Sequence, residues 1–395
     1  METELPMMAH ELPDKSELLV VGAGPYGLGI AAYARTLGLD PLLVGSSMAF
    51  WREEMPHGMF LRSSWDWHYD PNCVFTIEAW MRETGRTKES LDPFPLADYL
   101  EFAVWFEQVA GLRPVDLAIQ RIDTRPDGTF DAVFANGFTV NAASVVLALG
   151  FAHFAYVPDE LRVVLPAHNV QHTAHYVDFS DAPGTRYAII GGRQSAYEWT
   201  ALLHEAGAAS VDVIHRHRTP RFAPADWSWT APVVERIATH PQWFRELDDA
   251  QKRKVAFRLW LEGRSKLEPW LAPRLAHPTI RSRPGRTVAG SSDEADGAIS
   301  LTLDNGDTLE VDKVVLATGY RTNIANVPML AAGNLLEQIE AVNGAPVLDS
   351  TFQTSVPGLY ATSMMATRDF GPLFAFTVAV RASSRVVGDA ILSRR

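Results

Sequence analysis

The glycine-rich segment that begins at Gly22 is the part of the sequence whose spacing most directly indicates chemistry. Gly22, Gly24 and Gly27 form a Gly-x-Gly-x-x-Gly motif between an apolar run and an Ala- and Leu-rich stretch. That strand–turn–helix context is typical of a dinucleotide-binding loop, in which the glycines allow a tight turn, a close phosphate approach and close helix packing. We predict that this loop, with Pro25 and Tyr26, holds a pyrophosphate at a helix N-terminus.

A second segment repeats this organisation. An apolar strand predicted over Arg186 to Ile190 runs into residues 191–196, and a helical stretch follows to about Glu205. Arg193 stands where the second glycine usually lies, and Ala196 replaces the third. The predicted dinucleotide contacts of this second loop are Gly191, Arg193, Gln194, Ser195 and Ala196.

The strand predicted over Ser210 to Ile214 ends in a basic run, His215-Arg216-His217-Arg218. In a dinucleotide fold this position faces the adenosine ribose, where a carboxylate usually accepts the ribose hydroxyls of NAD. Arginines there can instead bind a 2′-phosphate through charge-assisted hydrogen bonds. We predict this role for Arg216 and Arg218; the alternative is a solvated basic turn.

Two later segments match each other and turn the two loops into an internal repeat. An Asn-Gly pair leads into a buried strand that ends at Gly150 in one segment and at Gly319 in the other. The spacing between these two glycines is 169 residues, and Gly22 and Gly191 are the same distance apart. A constant offset between separate motifs indicates one domain type present twice.

Composition bounds the class of protein. The chain has 395 residues and a formal net charge of −12, which argues against nucleic-acid binding and against docking on anionic lipid. The predicted location is cytoplasmic, because neither a signal peptide nor an apolar run of about 18 residues is recognisable. Cys73 is the single cysteine, so no internal disulfide can form, and we interpret it as a small buried apolar residue. The histidines at 168, 172 and 175 are too loosely spaced to predict a metal site.

The polar and aromatic residues outside the glycine loops complete a discontinuous pattern over most of the chain. Its segments are Gly22 to Gly27, Met59 to Arg62, Asp70-Pro71, Phe94-Pro95 with Tyr99-Leu100, His172-Thr173 with Tyr176, Gly191 to Ala196, and Leu316 to Tyr320. This pattern resembles the flavin-containing monooxygenases, and most closely their amino-acid N-hydroxylating branch, the ornithine and lysine N-monooxygenases.

The resemblance implies an α/β fold with two Rossmann-like domains and helical insertions, in which an NADPH domain is inserted into a split FAD domain. We place the first FAD part at residues 1–165, the NADPH domain at 166–320 and the second FAD part at 321–395. The implied reaction is NADPH-dependent: a flavin C4a-hydroperoxide, formed with O2, oxygenates a small nucleophilic substrate by N-, S- or Baeyer–Villiger-type chemistry. Two alternatives stay open, an NADPH-dependent reductase or oxidase without oxygen insertion and a non-catalytic dinucleotide-binding regulator.

The resemblance also implies further site residues. Arg62, His172 and Thr173 are the possible catalytic or substrate-side residues, although the flavin carries the chemistry. A final helix predicted from Pro372 to Leu392, with Asp369 as its capping residue, would point its N-terminus at the flavin. The further predicted cofactor contacts are Ser46, Trp51, Gly150, Thr318, Gly319, Tyr320, Gly371, Pro372 and Leu373.

The sequence departs from the family pattern at three places. Gly45 and Ser46 lie where an acidic residue usually meets the ribose of FAD, and Pro166 and His168 replace a Phe-x-Gly pair. The stretch that positions an asparagine on the substrate in ornithine enzymes is here rich in tryptophan, at residues 222–232. We therefore predict that a basic amino acid is not the best substrate. The tryptophans at 51, 65, 67, 227 and 229 either fill the core between domains or line a substrate cavity.

Overall fold

The computed structural model describes residues 12–395. The strands of this part of the chain are, in order, β1 (Lys15–Val21), β2 (Pro41–Val44), β3 (Phe60–Leu61), β4 (Phe94–Pro95), β5 (Ile119–Thr124), β6 (Phe130–Phe134), β7 (Thr139–Leu147), β8 (Val170–His172), β9 (Arg186–Ile190), β10 (Ser210–His215), β11 (Arg221–Phe222), β12 (Lys266–Leu267), β13 (Ile280–Pro284), β14 (Val288–Asp293), β15 (Ile299–Leu303), β16 (Thr308–Val311), β17 (Lys313–Leu316), β18 (Ala341–Val342), β19 (Ala345–Pro346) and β20 (Leu359–Ala361).

The helices lie between these strands and after the last of them. They are α1 (Pro25–Thr36), α2 (Ala49–Glu53), α3 (Ile77–Thr84), α4 (Leu96–Val109), α5 (Asp159–Val164), α6 (Gln194–Glu205), α7 (Thr230–Thr239), α8 (Trp243–Glu246), α9 (Asp249–Gly263), α10 (Leu271–Arg274), α11 (Pro328–Ala331), α12 (Thr367–Phe370) and α13 (Val380–Arg394). None of the helices in residues 12–395 combines the length and the apolar character that crossing a membrane requires.

The first sheet has the strand order β2-β1-β7-β6-β5. β20 pairs with the last residues of β7, beyond the part of β7 that pairs with β6. β2, β1, β7 and β20 run parallel, whereas β5, β6 and β7 form an antiparallel meander. Leu18, Leu19 and Val20 of β1 are fully buried, as expected for a central parallel strand covered on both faces. Through β20, the C-terminal part of the chain pairs with the same sheet that contains β1.

The second sheet repeats this plan. Its order is β13-β10-β9-β17-β8, with all neighbours parallel, and β14, β15 and β16 form an antiparallel meander that leads into β17. Two differences are that Asp312 separates β16 from β17, while β7 is continuous, and that β13 adds an edge strand beside β10. Both sheets thus contain a parallel βαβ core and a three-stranded meander, which confirms the predicted fold class of two Rossmann-like units.

One backbone contact shows how closely the two units correspond. A Cβ atom on Gly22, which has φ +106°, would lie 2.5 Å from the Ala148 carbonyl oxygen. A Cβ atom on Gly191, with φ +143°, would lie the same 2.5 Å from the Ala317 carbonyl oxygen. Both positions therefore require glycine on steric and conformational grounds. Ala317 and Ala148 are also 169 residues apart, so the offset seen in the sequence is a repeated contact in the structure.

The first insertion, residues 50–112, and the second, residues 220–284, contain several helices, as predicted, and they join the two units. The Arg62 guanidinium, just after β3, forms an ion pair of 2.8 Å with Glu268, just after β12. α7 packs against α13, and Phe244 of α8 lies on Gly371 in the C-terminal segment. The insertion at residues 220–284 therefore contacts the elements predicted for FAD as well as its own unit.

Two predicted elements differ from the structure. The final helix begins at Val380 and not at Pro372, because 3₁₀ turns at Pro372–Ala375 and Thr377–Ala379 are separated by the extended residue Phe376. The acidic residues Asp293, Glu294 and Asp296 predict an exposed loop at 290–297, but this segment is partly β14, and only its second half forms the turn to β15. The domain boundaries at 165/166 and 320/321 stay predictions.

Candidate functional site

The first glycine loop, residues 22–27, forms an open cradle. A Cβ atom on Gly27 would overlap the Gly22 carbonyl, so the loop and the first turn of α1 touch backbone to backbone. At Gly24, in contrast, no described atom lies within 4 Å of the position that a Cβ would take. Pro25 is the first residue of α1, and no acidic residue occupies its first turn. A bare backbone facing open space at a helix N-terminus suits a pyrophosphate, so the loop fits a dinucleotide.

Tyr26 connects this loop to the C-terminal segment. Its hydroxyl lies 2.5 Å from the Phe374 carbonyl oxygen and 2.9 Å from that of Phe376, so one proton can be shared between the two acceptors. Burial of the phenol raises its pKa and keeps it protonated as a donor. The Tyr26 side chain therefore positions the segment that contains Gly371, Pro372 and Leu373.

That segment makes a turn that only glycine adopts readily. Gly371 has φ +98°, and a Cβ atom there would lie 2.9 Å from the Phe244 ring. Asp369 does not cap the final helix, which corrects the prediction. Its carboxylate accepts a hydrogen bond of 2.9 Å from the Leu348 backbone N–H and forms an ion pair of 3.3 Å with Arg245. These contacts fix the segment to two other parts of the same chain.

Trp51 lies above a buried group of hydroxyls. Its ring packs edge-on against Tyr99, with 4.9 Å between ring centres, and Tyr99 packs against Tyr69. The buried hydroxyls of Tyr69 and Thr377 lie within reach of the Tyr99 hydroxyl, and burial raises the pKa of the Tyr99 phenol. The three hydroxyls can therefore satisfy one another, and Trp51 packs on the Tyr99 side of this group.

The second glycine loop, residues 191–196, lies against His215 at the end of β10. A Cβ atom on Gly192 would overlap the His215 ring, which is buried. His215 Nδ1 donates to the His217 carbonyl at 2.8 Å, and Nε2 lies 3.0 Å from the Tyr197 hydroxyl. Burial lowers the pKa of this imidazole, so His215 is a neutral support for the loop.

The charges of three arginines interact near the point where the second loop meets α6. Arg193 donates a hydrogen bond of 2.6 Å to the Arg264 carbonyl at the end of α9, and its guanidinium lies 5.6 Å from the Trp260 ring centre. Burial lowers the pKa of Arg193, and the positive charges of Arg264 and Arg216 lower it further. Neither Arg216 nor Arg264 has a carboxylate partner among the described residues. We call Arg193, Arg216 and Arg264 the arginine cluster; it fits an anion.

The structure separates Arg218 from this cluster and uses part of the second loop internally. Arg218 is exposed, whereas the charges that lower the pKa of Arg193 are those of Arg264 and Arg216. Gln194 donates to Glu198 at 3.1 Å and accepts from the Glu268 backbone N–H at 3.0 Å. Ser195 is exposed and Ala196 fully buried, so Ser195 is the hydroxyl of this loop that a ligand could contact.

The two units meet at the carboxyl ends of β7 and β17. Phe151, which follows Gly150, and Tyr320, which follows Gly319, are 5.0 Å apart between ring centres. Phe50 packs on both rings, at 5.4 Å and 6.0 Å. The Thr318 hydroxyl donates a hydrogen bond of 2.5 Å to the Tyr156 carbonyl, which holds the end of β17 in place. We call Phe50, Phe151, His172 and Tyr320 the junction cluster.

His172 closes this cluster from the edge strand β8. Its Nε2 donates to the Gly319 carbonyl at 3.0 Å, and its Nδ1 accepts from the Ala174 backbone N–H at 3.1 Å. Burial lowers the pKa of His172 to about 4. With both nitrogens occupied and the ring neutral, His172 orients Gly319 and Tyr320 and is poorly placed to transfer protons. Thr173 is buried directly beside it.

Glu54, at the end of α2, is a titratable group beside the junction cluster that sequence reasoning missed. Partial burial, with a smaller contribution from the Glu53 charge, raises its pKa to about 7. Its charge in turn contributes to the raised pKa of Tyr320. A cleft of about 400 Å³ next to it is lined by Arg52, Met55, His57 and residues 177–179.

Arg62 is occupied by structural contacts. Besides its ion pair with Glu268, it donates to the backbone carbonyls of Glu262 and Gly263 at the end of α9. The predicted contact of Arg62 with a substrate would have to share a guanidinium already engaged on three acceptors. Cys73 is exposed and has φ +56°, so its interpretation as a buried apolar residue is wrong.

The tryptophans are divided between core and interface. Trp67 and Trp229 are buried, whereas Trp51, Trp65 and Trp227 are half-buried. Trp67 packs edge-on against Trp227 with 5.7 Å between ring centres, so the first insertion meets the second here. The Trp229 indole N–H is buried without an acceptor among residues 12–395. The signal for this interface was the local density of tryptophan in the sequence.

Solved structures with the same fold cover almost the whole chain. An ornithine N-hydroxylase from Kutzneria sp. 744, solved with reduced FAD, NADP+ and L-ornithine, is 18% identical, with a TM-score of 0.79 over 96% of this chain and 99% of that one. Ornithine hydroxylase from Pseudomonas aeruginosa is 18% identical, with a TM-score of 0.75 over 96% and 99% of the two chains. The predicted resemblance to the N-hydroxylating flavin monooxygenases is confirmed for the fold.

The curated relatives match part of the chain. An FAD-dependent urate hydroxylase from Xanthomonas campestris pv. campestris is 28% identical over 42% of this chain and 37% of the relative. A ferredoxin–NADP reductase from Burkholderia vietnamiensis is 28% identical over 52% of each protein. The chain therefore spans about half the length, or less, of these relatives.

Family models cover nearly everything from the first glycine loop to the C-terminal segment. The models of two families, each described as pyridine nucleotide-disulphide oxidoreductase, match residues 19–256 and residues 260–371. The first match alone spans more than half of the chain, and both glycine loops lie inside it. The chain belongs to the pyridine nucleotide-disulphide oxidoreductase family, whose fold is that of FAD- and NADPH-binding flavoproteins.

Proposed function

We propose that this chain is an FAD- and NADPH-dependent monooxygenase that inserts one oxygen atom from O2 into a small nucleophilic substrate. The observation that carries the proposal is the junction cluster. Phe151 and Tyr320 touch at the carboxyl ends of β7 and β17, where the sheets of the two glycine loops meet. A hydride donor on one unit and an acceptor on the other would thus face a single junction. FAD, when bound, would supply the redox chemistry that side chains lack.

The residues of the chain would bind and orient FAD and NADPH and would shield the reacting atoms from water. The first glycine loop would hold the pyrophosphate of FAD, and the segment at Gly371 to Leu373, fixed by Tyr26, would lie at its other end. The second loop and the arginine cluster would hold NADPH. His172 would keep Gly319 and Tyr320 in place, and the aromatic rings of the junction cluster would exclude water from the reacting atoms.

The cysteine content supports oxygen chemistry over disulfide chemistry. The single cysteine, Cys73, cannot form a redox-active disulfide within the chain despite the family's name. The likeness to N-hydroxylases extends over 96% of the chain, insertions included. A reductase or oxidase that inserts no oxygen is the second candidate, because the ferredoxin–NADP reductase matches 52% of the chain.

The interface between the insertions favours a neutral substrate. Trp67, Trp227 and Trp229 supply apolar surface, and among residues 12–395 the Trp229 N–H has no acceptor, so a substrate with a hydrogen-bond acceptor could use it. An aromatic or apolar amine, sulfide or ketone meets these conditions better than ornithine or lysine does.

The test follows where the oxygen atoms go. The protein is reconstituted with FAD and supplied with NADPH and ¹⁸O2, together with aromatic amines, thioethers and ketones. We expect a product carrying one ¹⁸O atom, formed in proportion to the NADPH consumed. Release of H2O2 equal to NADPH consumption with every compound, or rapid reduction of ferredoxin, would favour the second candidate.

A further inference from the structure

The end of β2 lacks the group that normally contacts an adenosine ribose. A dinucleotide fold usually places Asp or Glu there to accept the ribose hydroxyls. Here Val44 is followed by Gly45 and Ser46. Gly45 has φ +124°, and a Cβ atom on it would lie 3.4 Å from the Ala23 nitrogen. A carboxylate side chain at position 45 would thus be strained by the positive φ and would start in contact with the first glycine loop.

A different part of the chain brings a carboxylate to this place. After α4, Val115 runs parallel to β2 and pairs with Val44. The Val115 N–H donates to the Leu43 carbonyl at 2.8 Å, and the Gly45 N–H donates to the Val115 carbonyl at 2.9 Å. This one-residue extension of the sheet places Asp116 beside the residues that follow β2.

Asp116 is held there by a hydrogen bond. The Ser46 hydroxyl donates to Asp116 Oδ1. Among residues 12–395, Oδ2 of Asp116 has no partner, and the side chain is exposed. A deeper pair stabilises the same turn, since the Ser47 hydroxyl donates to Glu107 of α4, whose pKa is raised by burial. The turn therefore presents one oriented carboxylate with a free oxygen beside the first glycine loop.

We propose that Asp116, oriented by Ser46, is the residue that binds the adenosine ribose hydroxyls of FAD. The carboxylate that other dinucleotide folds carry at the end of the second strand is supplied here by the neighbouring extended segment. This inference rests on the proposed function, because it requires the first loop to hold FAD. A carboxylate with a free oxygen can accept both hydroxyl protons of a ribose, and such charge-assisted bonds are stronger than neutral ones.

The test measures flavin affinity and does not depend on turnover. Flavin is removed from the purified protein, and FAD and FMN are titrated into wild type, Asp116→Ala, Asp116→Asn and Ser46→Ala. FMN carries no adenosine and reports the rest of the site. We expect Asp116→Ala to raise the Kd for FAD about ten- to a hundredfold and to leave the Kd for FMN unchanged. The FAD Kd of Asp116→Asn should fall between those of wild type and Asp116→Ala, and Ser46→Ala should raise the FAD Kd less than Asp116→Ala does.

Asp40→Ala is the matched control, because Asp40 is an exposed aspartate at the opposite end of β2. It should bind FAD as wild type does. An unchanged FAD Kd in Asp116→Ala, or equal losses for FAD and FMN, would overturn the inference. If wild type itself fails to bind FAD, the proposed function fails first, so the two failures are distinguishable.

Discussion

The arginine cluster gives the sharpest prediction about cofactor choice. Arg193 is partly buried beside Arg216 and Arg264, and the described residues supply no carboxylate to Arg216 or Arg264. Like charges held together in this way are stabilised by an anion, and the 2′-phosphate of NADPH carries nearly two negative charges that NADH lacks. We expect Arg216→Ala to weaken NADPH binding selectively.

The magnitude follows from one lost charge-assisted bond. Such a bond contributes about 1.5–3 kcal/mol, and about 1.4 kcal/mol corresponds to a tenfold change in affinity. Arg216 is exposed, so we expect the lower part of this range, a roughly tenfold rise in the KM for NADPH. The repulsion among the arginines exists in free and bound protein and cancels from the binding free energy. The KM for NADH should therefore change little.

Rapid flavin reduction by NADPH and by NADH is measured for wild type, Arg216→Ala, Arg264→Ala and Arg218→Ala. Arg218→Ala should have a smaller effect than Arg216→Ala, because Arg216 and Arg264 are the charges that lower the pKa of Arg193. Arg253→Ala, on the exposed surface of α9, is the matched loss of a positive charge. The reasoning is refuted if wild type prefers NADH, or if Arg216→Ala raises both KM values equally.

Four further predictions concern the flavin, the substrate and pH. Purified protein should release FAD and not FMN on denaturation, which chromatography of the released flavin checks. Gly24→Val should abolish FAD binding while the protein stays folded, because a side chain there meets open space in the protein but blocks the phosphates; a folded variant with normal flavin content would contradict this. Ornithine and lysine should be hydroxylated slowly or not at all, and coupled turnover of either at high kcat/KM would refute the neutral-substrate proposal. Glu54→Gln should leave stability unchanged below pH 4.5 and increase it progressively towards pH 7 and above: the Glu54 pKa is raised from 4.5 to about 7, so wild type loses stability as the carboxyl ionises. After allowance for its partial exposure we expect about 1–2 kcal/mol at pH 8 from urea unfolding, against a much smaller change for Glu53→Gln.

The sequence predicts the βαβ units closely because their signals are local. β9 has the predicted bounds, and α6 ends at Glu205 as expected. In each unit an apolar strand, a glycine turn and a helical stretch lie within about 30 residues, so the pattern needs no distant contact to be recognisable.

The C-terminal segment shows what local signals miss. Asp369 and Pro372 have the types and spacing of a helix start, yet Asp369 binds Leu348 and Arg245 instead. Phe244, more than 120 positions earlier, occupies the space beside Gly371. These partners are distant in sequence, and they outweigh the capping preference of a few neighbouring residues.

Asp116 and Arg264 were missed for the same reason. Each lies far in sequence from the glycine loop that it approaches, Asp116 through the pairing of Val115 with β2 and Arg264 through its carbonyl contact with Arg193. The sequence offered only two departures from the motif as signals: position 45 lacks the usual carboxylate, and position 193 lacks the usual glycine. A departure from a motif thus marked where a residue from elsewhere had to be sought.

The two repeated units share a backbone contact that the turn requires and differ in the residue that would face a ligand. Gly22 and Gly191 make the same 2.5 Å approach to Ala148 and Ala317, because both loops must turn sharply between a strand and a helix. The next glycine position differs: Gly24 is bare, while Arg193 brings a cation to the second loop. A bare loop with a nearby carboxylate suits a ribose with free hydroxyls, and a cationic loop suits a ribose that carries a phosphate. The two units therefore share a backbone and differ in charge at the positions that we propose contact the two riboses.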